Sequence, residues 1–349
     1  MAATTITNLA HAPVELLLAA IQERQPRLNR LLNSQIVLAD PRNFANRALE
    51  DGATKVEIPL ISPVTGGYTI QNPGTPPVID NITSGRQVAP VFYREKAWGR
   101  DAFAAAQSGI DPFAYIVDKI LNLRYDAGET VIINQLLGMF KSSDFASLIL
   151  ATSVNEAPTG TPGSNVYFDA DAFHDLTGIF GIKEDDMVGG AITMHTKMRT
   201  YLKKQDEIDT VKPSSGGLEF QTYKGLRIVV DDRFVRAGTT SGFVYPVTIL
   251  APGTIVFNMA TQGQDGTTSS SLAYDSDIPN LTKALYDRCV SLCHINGTVW
   301  RPDLAQGGSI VPAVVKGGPS DTQLTTQNAW KTAYTNVKET RVARGEFNI

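Results

Sequence analysis

Histidine is scarce in this chain, cysteine scarcer, and neither is arranged for chemistry. Four histidines (His11, His174, His195, His294) and two cysteines (Cys289, Cys293) are all that its 349 residues contain. Two cysteines exclude a disulfide-stapled secreted scaffold. No histidine pair stands at metal-ligand spacing. An excess of positive charge is lacking too. The 31 Lys and Arg against 35 Asp and Glu leave a net charge of −4, opposite in sign to the surplus of a dedicated nucleic-acid binder. No apolar run is long enough to cross a bilayer. The opening, MAATTITNLAHAPVELLLAAIQERQ, has an apolar patch with no basic residue before it, so a signal peptide is not expected and synthesis in the cytoplasm is. Phosphate-cradling loops are absent as well: GGLEFQ lacks the Lys-Ser/Thr pair that would follow. There is no G-x-S-x-G nucleophile elbow.

What is present is a soluble, turn-rich chain, 42% hydrophobic and 19% charged, with 29 Gly and 19 Pro. It is long enough for two sub-domains. Its organising stretch is Asp111 to Phe140, DPFAYIVDKILNLRYDAGETVIINQLLGMF. Asp111 suits an N-cap and Pro112 a first helical position. Apolar residues recur at helical spacing at Phe113, Ile116, Val117, Ile120 and Leu121, then at Val131, Ile132, Leu136 and Phe140. One helix here is a rod of ~45 Å, against a radius of gyration of ~20 Å for a compact chain of this length. Gly128 near its middle leaves two shorter helices as the alternative to one straight rod.

Before the rod, ATKVEIPLI and QVAPVFYREKAW read as strands rich in β-formers. Pro59 and Pro90 inside them suit edge strands. Between them lies SPVTGGYTIQNPGTPPVIDNITSGR, too long and too polar for an ordinary turn. A lone two-stranded hairpin is marginal in water and its edges invite pairing. The expectation is that a neighbouring subunit supplies the missing stability; the alternative is a disordered insertion.

Residues 1–50 are too thinly apolar to fold alone and read as an arm. Val14, Leu17, Leu18 and Ile21 are spaced to line one helical face there; Arg24, Arg27 and Arg30 lie three apart, read as a solvated flank with a phosphate contact as the alternative. GRDAFAAAQSG predicts a short helix, DFASLILATS another, and EAPTGTPGSN a connector. FDADAFHDLTGIFGI predicts a helix capped by Asp169 or Asp171, GGAITMHT a buried strand, and TKMRTYLKKQDEI an amphipathic helix reaching Ile208. LEFQTYKGLRIVVDD predicts a hairpin turning at Lys224-Gly225. VYPVTIL and TIVFN are expected to pair around Ala251-Pro252-Gly253, and QGQDGTTSSSLAYDSD to be a polar loop. ALYDRCVSLCHINGTVW fits a helix by period, but Asn296-Gly297 is a hairpin signal, so strands are expected on both sides. The tail predicts a short helix near Trp330 and a last strand near Arg341–Ala343.

Two clusters carry candidate chemistry. His195 and Asp231 end neighbouring strand candidates and suit a metal or acid–base site, although strand-end residues of these types more often cap the next turn. Cys289, Cys293 and His294 resemble half a metal site with no second ligand pair, and small buried side chains are the plainer reading. Lys55 and Lys96, near the hairpin, have the side chain for a covalent join to a neighbour, but no acid or acceptor partner can be placed in the sequence, and surface lysine is the default reading. No catalytic residue, cofactor site or metal site is assigned.

In their order, DPFAYIVDKILNLRYDAGETVIINQLLGMF, AITMHTKMRTYLKKQDEIDTV, FQTYKGLRIVVDDRF, CHINGTVWRP and NAWKTAYTNVK are similar to the major capsid proteins of tailed bacteriophages. That fold is named after the Hong Kong 97 phage. The resemblance runs from about residue 35 to the C-terminus, and the ordered set carries it rather than any one string. It implies an α+β fold with an N-terminal arm (1–52), an extended hairpin loop (53–98) and a spine helix with a peripheral sub-domain (99–167). A mainly axial sub-domain (168–280) and a return to the peripheral one (281–349) would follow.

The resemblance implies a structural protein, not an enzyme, that self-assembles into the hexamers and pentamers of an icosahedral head around double-stranded DNA. It would be located in the virion and assembled in the host cytoplasm. Its partners would be copies of itself, packaged DNA contacted without sequence preference, and a separate scaffolding protein, portal and decoration protein; no membrane is involved. The cross-linking chemistry of some family members cannot be placed on these residues. Val56, Ile58, Phe92, Tyr93, Arg94 and Trp98 are the expected inter-subunit contacts. The alternatives are an encapsulin-like nanocompartment shell and, from another class, a metal-dependent hydrolase using His195 and Asp231.

Overall fold

The structure is a computed structural model. It describes residues 31–39 (except 33 and 35), 44–61 (except 52), 84–101, 112–154 (except 153), 167–211, 220–237, 243–260, 272–277, 282–301 and 317–348. In chain order the first elements are β1 (Val37–Leu38), α1 (Phe44–Asp51), β2 (Lys55–Ile61), β3 (Ser84–Asp101) and α2 (Pro112–Met139). Next come α3 (Ala170–Gly178), β4 (Ala191–Met194), α4 (Thr196–Lys204), β5 (Asp209–Val211), β6 (Phe220–Tyr223) and β7 (Leu226–Val230). Then follow β8 (Arg236–Ala237), β9 (Phe243–Leu250), β10 (Ile255–Met259), β11 (Leu272–Asp277) and β12 (Thr282–Ile295). β13 (Thr298–Trp300), the short α5 (Asp321–Leu324), β14 (Trp330–Thr332) and β15 (Val342–Phe347) close the chain.

Pro112 opens a single helix of 28 residues, ~42 Å long at ~1.5 Å per residue. It runs through Gly128 unbroken. A Cβ at Gly128 would lie 2.5 Å from the Phe257 ring, so the residue that argues against a helix is where β10 lays an aromatic ring on it. Gly138 repeats the device against α5: a Cβ there would lie 1.9 Å from the Leu324 carbonyl oxygen. In the same half of the helix Val131, Ile132, Leu136 and Met139 are buried.

Two sheets flank this rod. Among the described residues the first has eight strands, ordered β1-β10-β12-β3-β13-β14, with β11 added to β12 and β2 to β3. Its backbone is the ladder from Thr282↔Asp101 to Leu292↔Val91. Side chains alternate across a strand. Phe92 and Cys293 therefore join α2 in the main core, while Val91, Val290 and Leu292 pack with Ala45 and Ala48 of α1 on the opposite face. The second sheet has seven strands, ordered β15-β9-β4-β7-β6-β5 with β8 on β9. Ile192, Met194 and Val247 pack under Phe173 and Leu176 of α3 and Met198 and Leu202 of α4. From its other face Ala191, Val229 and Leu250 enter the core of α2.

Local signals held where they were strongest. Asp169 caps α3, accepting from the Ala172 amide at 2.9 Å. Lys224 (φ 47°) and Gly225 (φ 85°) turn β6 into β7, and Asn296-Gly297 turns β12 into β13. α4 stops at Lys204 rather than reaching Ile208.

Four expectations are corrected. β9 and β10 do not pair; β9 lies between β15 and β4, and β10 between β1 and β12. β9 is buried throughout after Phe243 and requires neighbours on both flanks. The Ala251–Thr254 turn, with Gly253 at φ 70°, is drawn to the first sheet by Asn296, whose side chain donates to the Gly253 carbonyl at 2.8 Å. Leu272–Asp277 is a strand on β12, not a polar loop. Trp330 begins a strand, and the helix lies earlier, at α5, closed by a Ser320–Gln323 capping box. Pro90 is not on an edge strand: β3 has partners on both sides. The β2 ladder ends opposite Pro90 at Lys55 and the β12 ladder begins one residue later, so the proline falls at a change of partner. Among the described residues β2 pairs only with β3, so Pro59 is on an edge as expected.

The sheets also divide the chain differently from the expected sub-domain boundaries. β10 and β11, within 168–280, belong to the first sheet, and β15, within 281–349, to the second. The arm residues 1–30, the hairpin tip at 62–83, the Ala-rich segment at 102–111 and the connector at 155–166 lie outside the described residues.

Gly138→Ala tests the packing of the rod. Alanine gains ~1 kcal/mol of helix propensity, but overpacking against backbone costs ~1–3 kcal/mol or more. The expected net loss is ~0–2 kcal/mol or more, seen as a lower urea midpoint.

Candidate assembly surface

The β2–β3 pair is built from the root outward. Gln87, buried on β3, is the hub: its Oε1 accepts from the Gly297 amide at 3.1 Å and lies 2.5 Å from His294 Nε2. Oε1 is therefore the acceptor and Nε2 carries the hydrogen. The Tyr334 hydroxyl also bonds the Gln87 side chain. One buried amide thus joins β3, β12, the Asn296-Gly297 turn (whose strands β12 and β13 flank β3 and do not pair as a hairpin) and the segment after β14. His294 Nδ1 is buried without a partner. A proton placed there would find no acceptor, and burial pushes the imidazole down to about 4.

Outward from the root, Lys55, Glu57 and Pro59 line the exposed side of β2, while Val56, Ile58 and Leu60 are half-buried. Glu57 is held by Arg86 at 3.0 Å and Lys55 at 3.6 Å, surface pairs worth under ~1 kcal/mol each. Of the six expected contact residues, Phe92 is fully buried in the chain's own core and has no surface for a neighbour; the alternation along β3 turns it toward α2. The Tyr93 hydroxyl lies 3.0 Å and 3.1 Å from the carbonyl oxygens of Ala53 and Ala48, sharing its hydrogen. Arg94 pairs with Asp321 at 3.0 Å. Trp98 is half-buried, with the Lys96 ammonium 5.6 Å from its ring centroid. Val56, Ile58, Tyr93, Arg94 and Trp98 all keep some exposed area.

Between α2 and the β3–β12 ladder runs an open groove of about 340 Å³, lined by Trp98, Leu123, Ala127, Val131 and Cys289 among others. Its floor is closed by an ion pair absent from the sequence reading. Arg124 on α2 and Asp287 on β12 have side chains only 8% and 9% exposed. Arg124 Nε donates to Asp287 Oδ1 at 3.1 Å and its Nη2 to the same oxygen. A charge inside each apolar run was the available signal; the pairing is non-local.

The chemical candidates resolve into structure. His195 is the N-cap of α4, its Nδ1 accepting from the Lys197 amide at 3.0 Å. Asp231 accepts from the Arg233 amide at 2.8 Å and holds the same residue's guanidinium, so it serves a turn. Asp232, not Asp231, is the carboxylate 3.7 Å from His195 Nε2. The hydrolase arrangement of His195 with Asp231 is not formed. Cys293 is buried and its thiol pushed up by burial; Cys289 Sγ lies 3.9 Å from Met259 Sδ. No group of three or more potential metal ligands occurs among the described residues, and no helix is long and apolar enough to cross a membrane.

No family model matches the sequence. The chain is 26% identical over 231 residues to the major capsid protein of Bacillus phage SPP1, a match covering 66% of this chain and 65% of that relative, just under two thirds of its length. Among solved structures, the capsid asymmetric unit of cyanophage Pam1 superposes with a TM-score of 0.53 over 93% of both chains at 12% identity, a likeness of fold. The capsid of Ralstonia phage GP4 gives 0.45 over 70% of this chain and 80% of its own, at 10% identity.

Two stability measurements test this geometry. His294 binds protons less readily folded than unfolded, so its contribution is fully present above ~6.5 and is lost as pH falls toward about 4, up to ~3 kcal/mol. His294→Gln should flatten that acid limb in denaturant titrations run at several pH values. Arg124→Leu strands the Asp287 carboxylate and should cost ~3–5 kcal/mol. The double variant with Asp287→Leu should recover most of that loss in a denaturation cycle.

Proposed function

We propose, from the premise that this chain has the α+β Hong Kong 97-like capsid fold, that it is the coat subunit of a tailed-phage head. Its copies form hexamers and pentamers that close an icosahedral shell around double-stranded DNA. The observation that carries this is the β2–β3 pair. Among the described residues β2 has no strand on its outer edge, and Val56, Ile58 and Trp98 are incompletely covered. A neighbour's surface laid over this pair completes its burial, and a head-to-tail contact repeated about an axis closes into rings.

Val56, Ile58, Tyr93, Arg94 and Trp98 are the contacts we assign to that neighbour; Phe92 is withdrawn. The role is structural, with no catalytic residue, and the place of action is the virion after assembly in the host cytoplasm. Scaffolding, portal and decoration proteins are separate chains in this scheme. Because the subunit is net negative at −4, packaged phosphate is neutralised mainly by small cations.

Negative-stain electron microscopy of the purified protein is the test. Icosahedral particles are expected, and nuclease-protected double-stranded DNA inside those from infected cells separates a phage head from a shell loaded with enzyme. Deletion of residues 62–83 should leave a folded subunit, by circular dichroism, that sediments without forming shells. Material that stays single at high concentration would overturn the coat-protein reading, and normal shells from the deletion would overturn the hairpin's part in it.

A further inference from the structure

Glu129 lies on α2 between Asp126 and Thr130 and is only 7% exposed. Two separate segments converge on its carboxylate with three donors. From the stretch preceding β1, the Leu31 amide donates to Oε1 at 3.1 Å and the Leu32 amide is a second donor. From the turn after β7, Arg233 Nη2 stands 3.4 Å from Oε2. That guanidinium is mostly committed elsewhere: Nη2 and Nε bind Asp231 at 2.5 Å and 2.8 Å. Its Nη1 donates to Thr130 Oγ1 at 2.6 Å and stands 3.5 Å from the Asp126 carbonyl. Glu129 is therefore a buried carboxylate held by two backbone amides and one long ion pair.

We propose that Glu129 is a proton-responsive joint that sets how firmly residues 31–39 are held against α2. The far end of that segment is anchored without charge. Ile36 is fully buried, its carbonyl accepts from the Ile255 amide at 3.1 Å, and β1 lies parallel on β10. At the near end the Leu31 side chain is buried and the backbone amides rest on the carboxylate. Covering it strips water from an ionised group, a cost that the amides and Arg233 offset only in part.

The charged groups acting on Glu129 are Arg233 and Asp231 on the turn after β7; Asp126 stands one turn earlier on its own helix, and the described residues of the covering segment carry none. Burial is the largest influence and leaves the carboxyl above the ordinary glutamate range despite the amides and Arg233, with Asp231 adding to the rise. Lifting the segment away would expose Glu129 and return it toward the ordinary value. The covered state thus takes up a proton more readily than the uncovered one. By linkage the segment is held most weakly above the raised pKa, tightens as pH falls through it, and levels off below the ordinary range. This runs opposite to the acid loosening assigned to His294.

Hydrogen exchange by mass spectrometry on the full-length protein reads the joint directly, whether or not shells form. The peptide containing Leu31 and Leu32 is followed from pH 8 to 4.5, corrected for the intrinsic exchange rate. Amides at 131–136 of α2 serve as reference for global acid loosening. Protection of the Leu31–Leu32 peptide relative to that reference should rise as pH falls, by up to ~10-fold per unit by which the pKa is raised. Glu129→Gln, which keeps an accepting oxygen without the charge, should give high protection at every pH. Glu129→Ala should give low protection at every pH. A flat wild-type profile overturns the proposal. So does a Glu129→Gln profile with the wild-type slope.

Discussion

Everything in this fold is referred to one long helix that two sheets approach from different sides. Such an approach demands that α2 present almost no side chain where backbone or rings must come closest. Gly128 and Gly138 meet that demand, the first under the Phe257 ring and the second under the Leu324 carbonyl. Dispersion between closely packed atoms is weak per pair and falls off steeply with separation, so removing two Cβ atoms admits contacts that a uniform helix would hold off. The penalty in helix propensity, ~1 kcal/mol per glycine, is small against the apolar surface thereby closed.

Polar groups then fix what apolar packing leaves free. Hydrophobic contact is non-directional and would tolerate a helix sliding along its sheet. Arg124 with Asp287, Gln135 donating to the Cys293 carbonyl at 3.1 Å and Glu129 with the Leu31 amide pin α2 at three heights. Near the helix end the Ser142 hydroxyl donates to the Trp330 carbonyl, and Arg344 stacks 5.5 Å from the Phe140 ring centroid while pairing with Glu346 at 2.6 Å. Each buried polar group is costly if misplaced, so together they define one register.

What the sequence disclosed follows from the range of the forces involved. The spine helix, the Asp169 cap and the turns at Lys224-Gly225 and Asn296-Gly297 are decided within a few residues, and all were legible. Partner choice between strands is decided by residues far apart. VYPVTIL and TIVFN look like a hairpin because only their sequence proximity is visible; their separation into two sheets depends on Asn296 and on β15, which lie far along the chain. Leu272–Asp277 is polar enough to read as a loop and becomes a strand because the long β12 offers it an edge. Phe92 looks the same as any strand aromatic until α2 determines which face of β3 is the core. At the candidate surface, the hairpin's existence was legible, whereas the Gln87–His294–Tyr334 root and the Arg124–Asp287 floor required knowing what lies across the sheet.

The outer rim of β2 has a further consequence. A bare strand rim with an unbroken row of donors and acceptors is a template for endless ribbon growth, one copy stitching onto the next without limit. Lys55 and Pro59 interrupt that row, one by charge and solvation and the other by a missing donor. In the proposed shell, copies meeting there would adhere through side-chain faces, which can slide and re-seat, so a misjoined pair would correct itself before a closed surface locks it in.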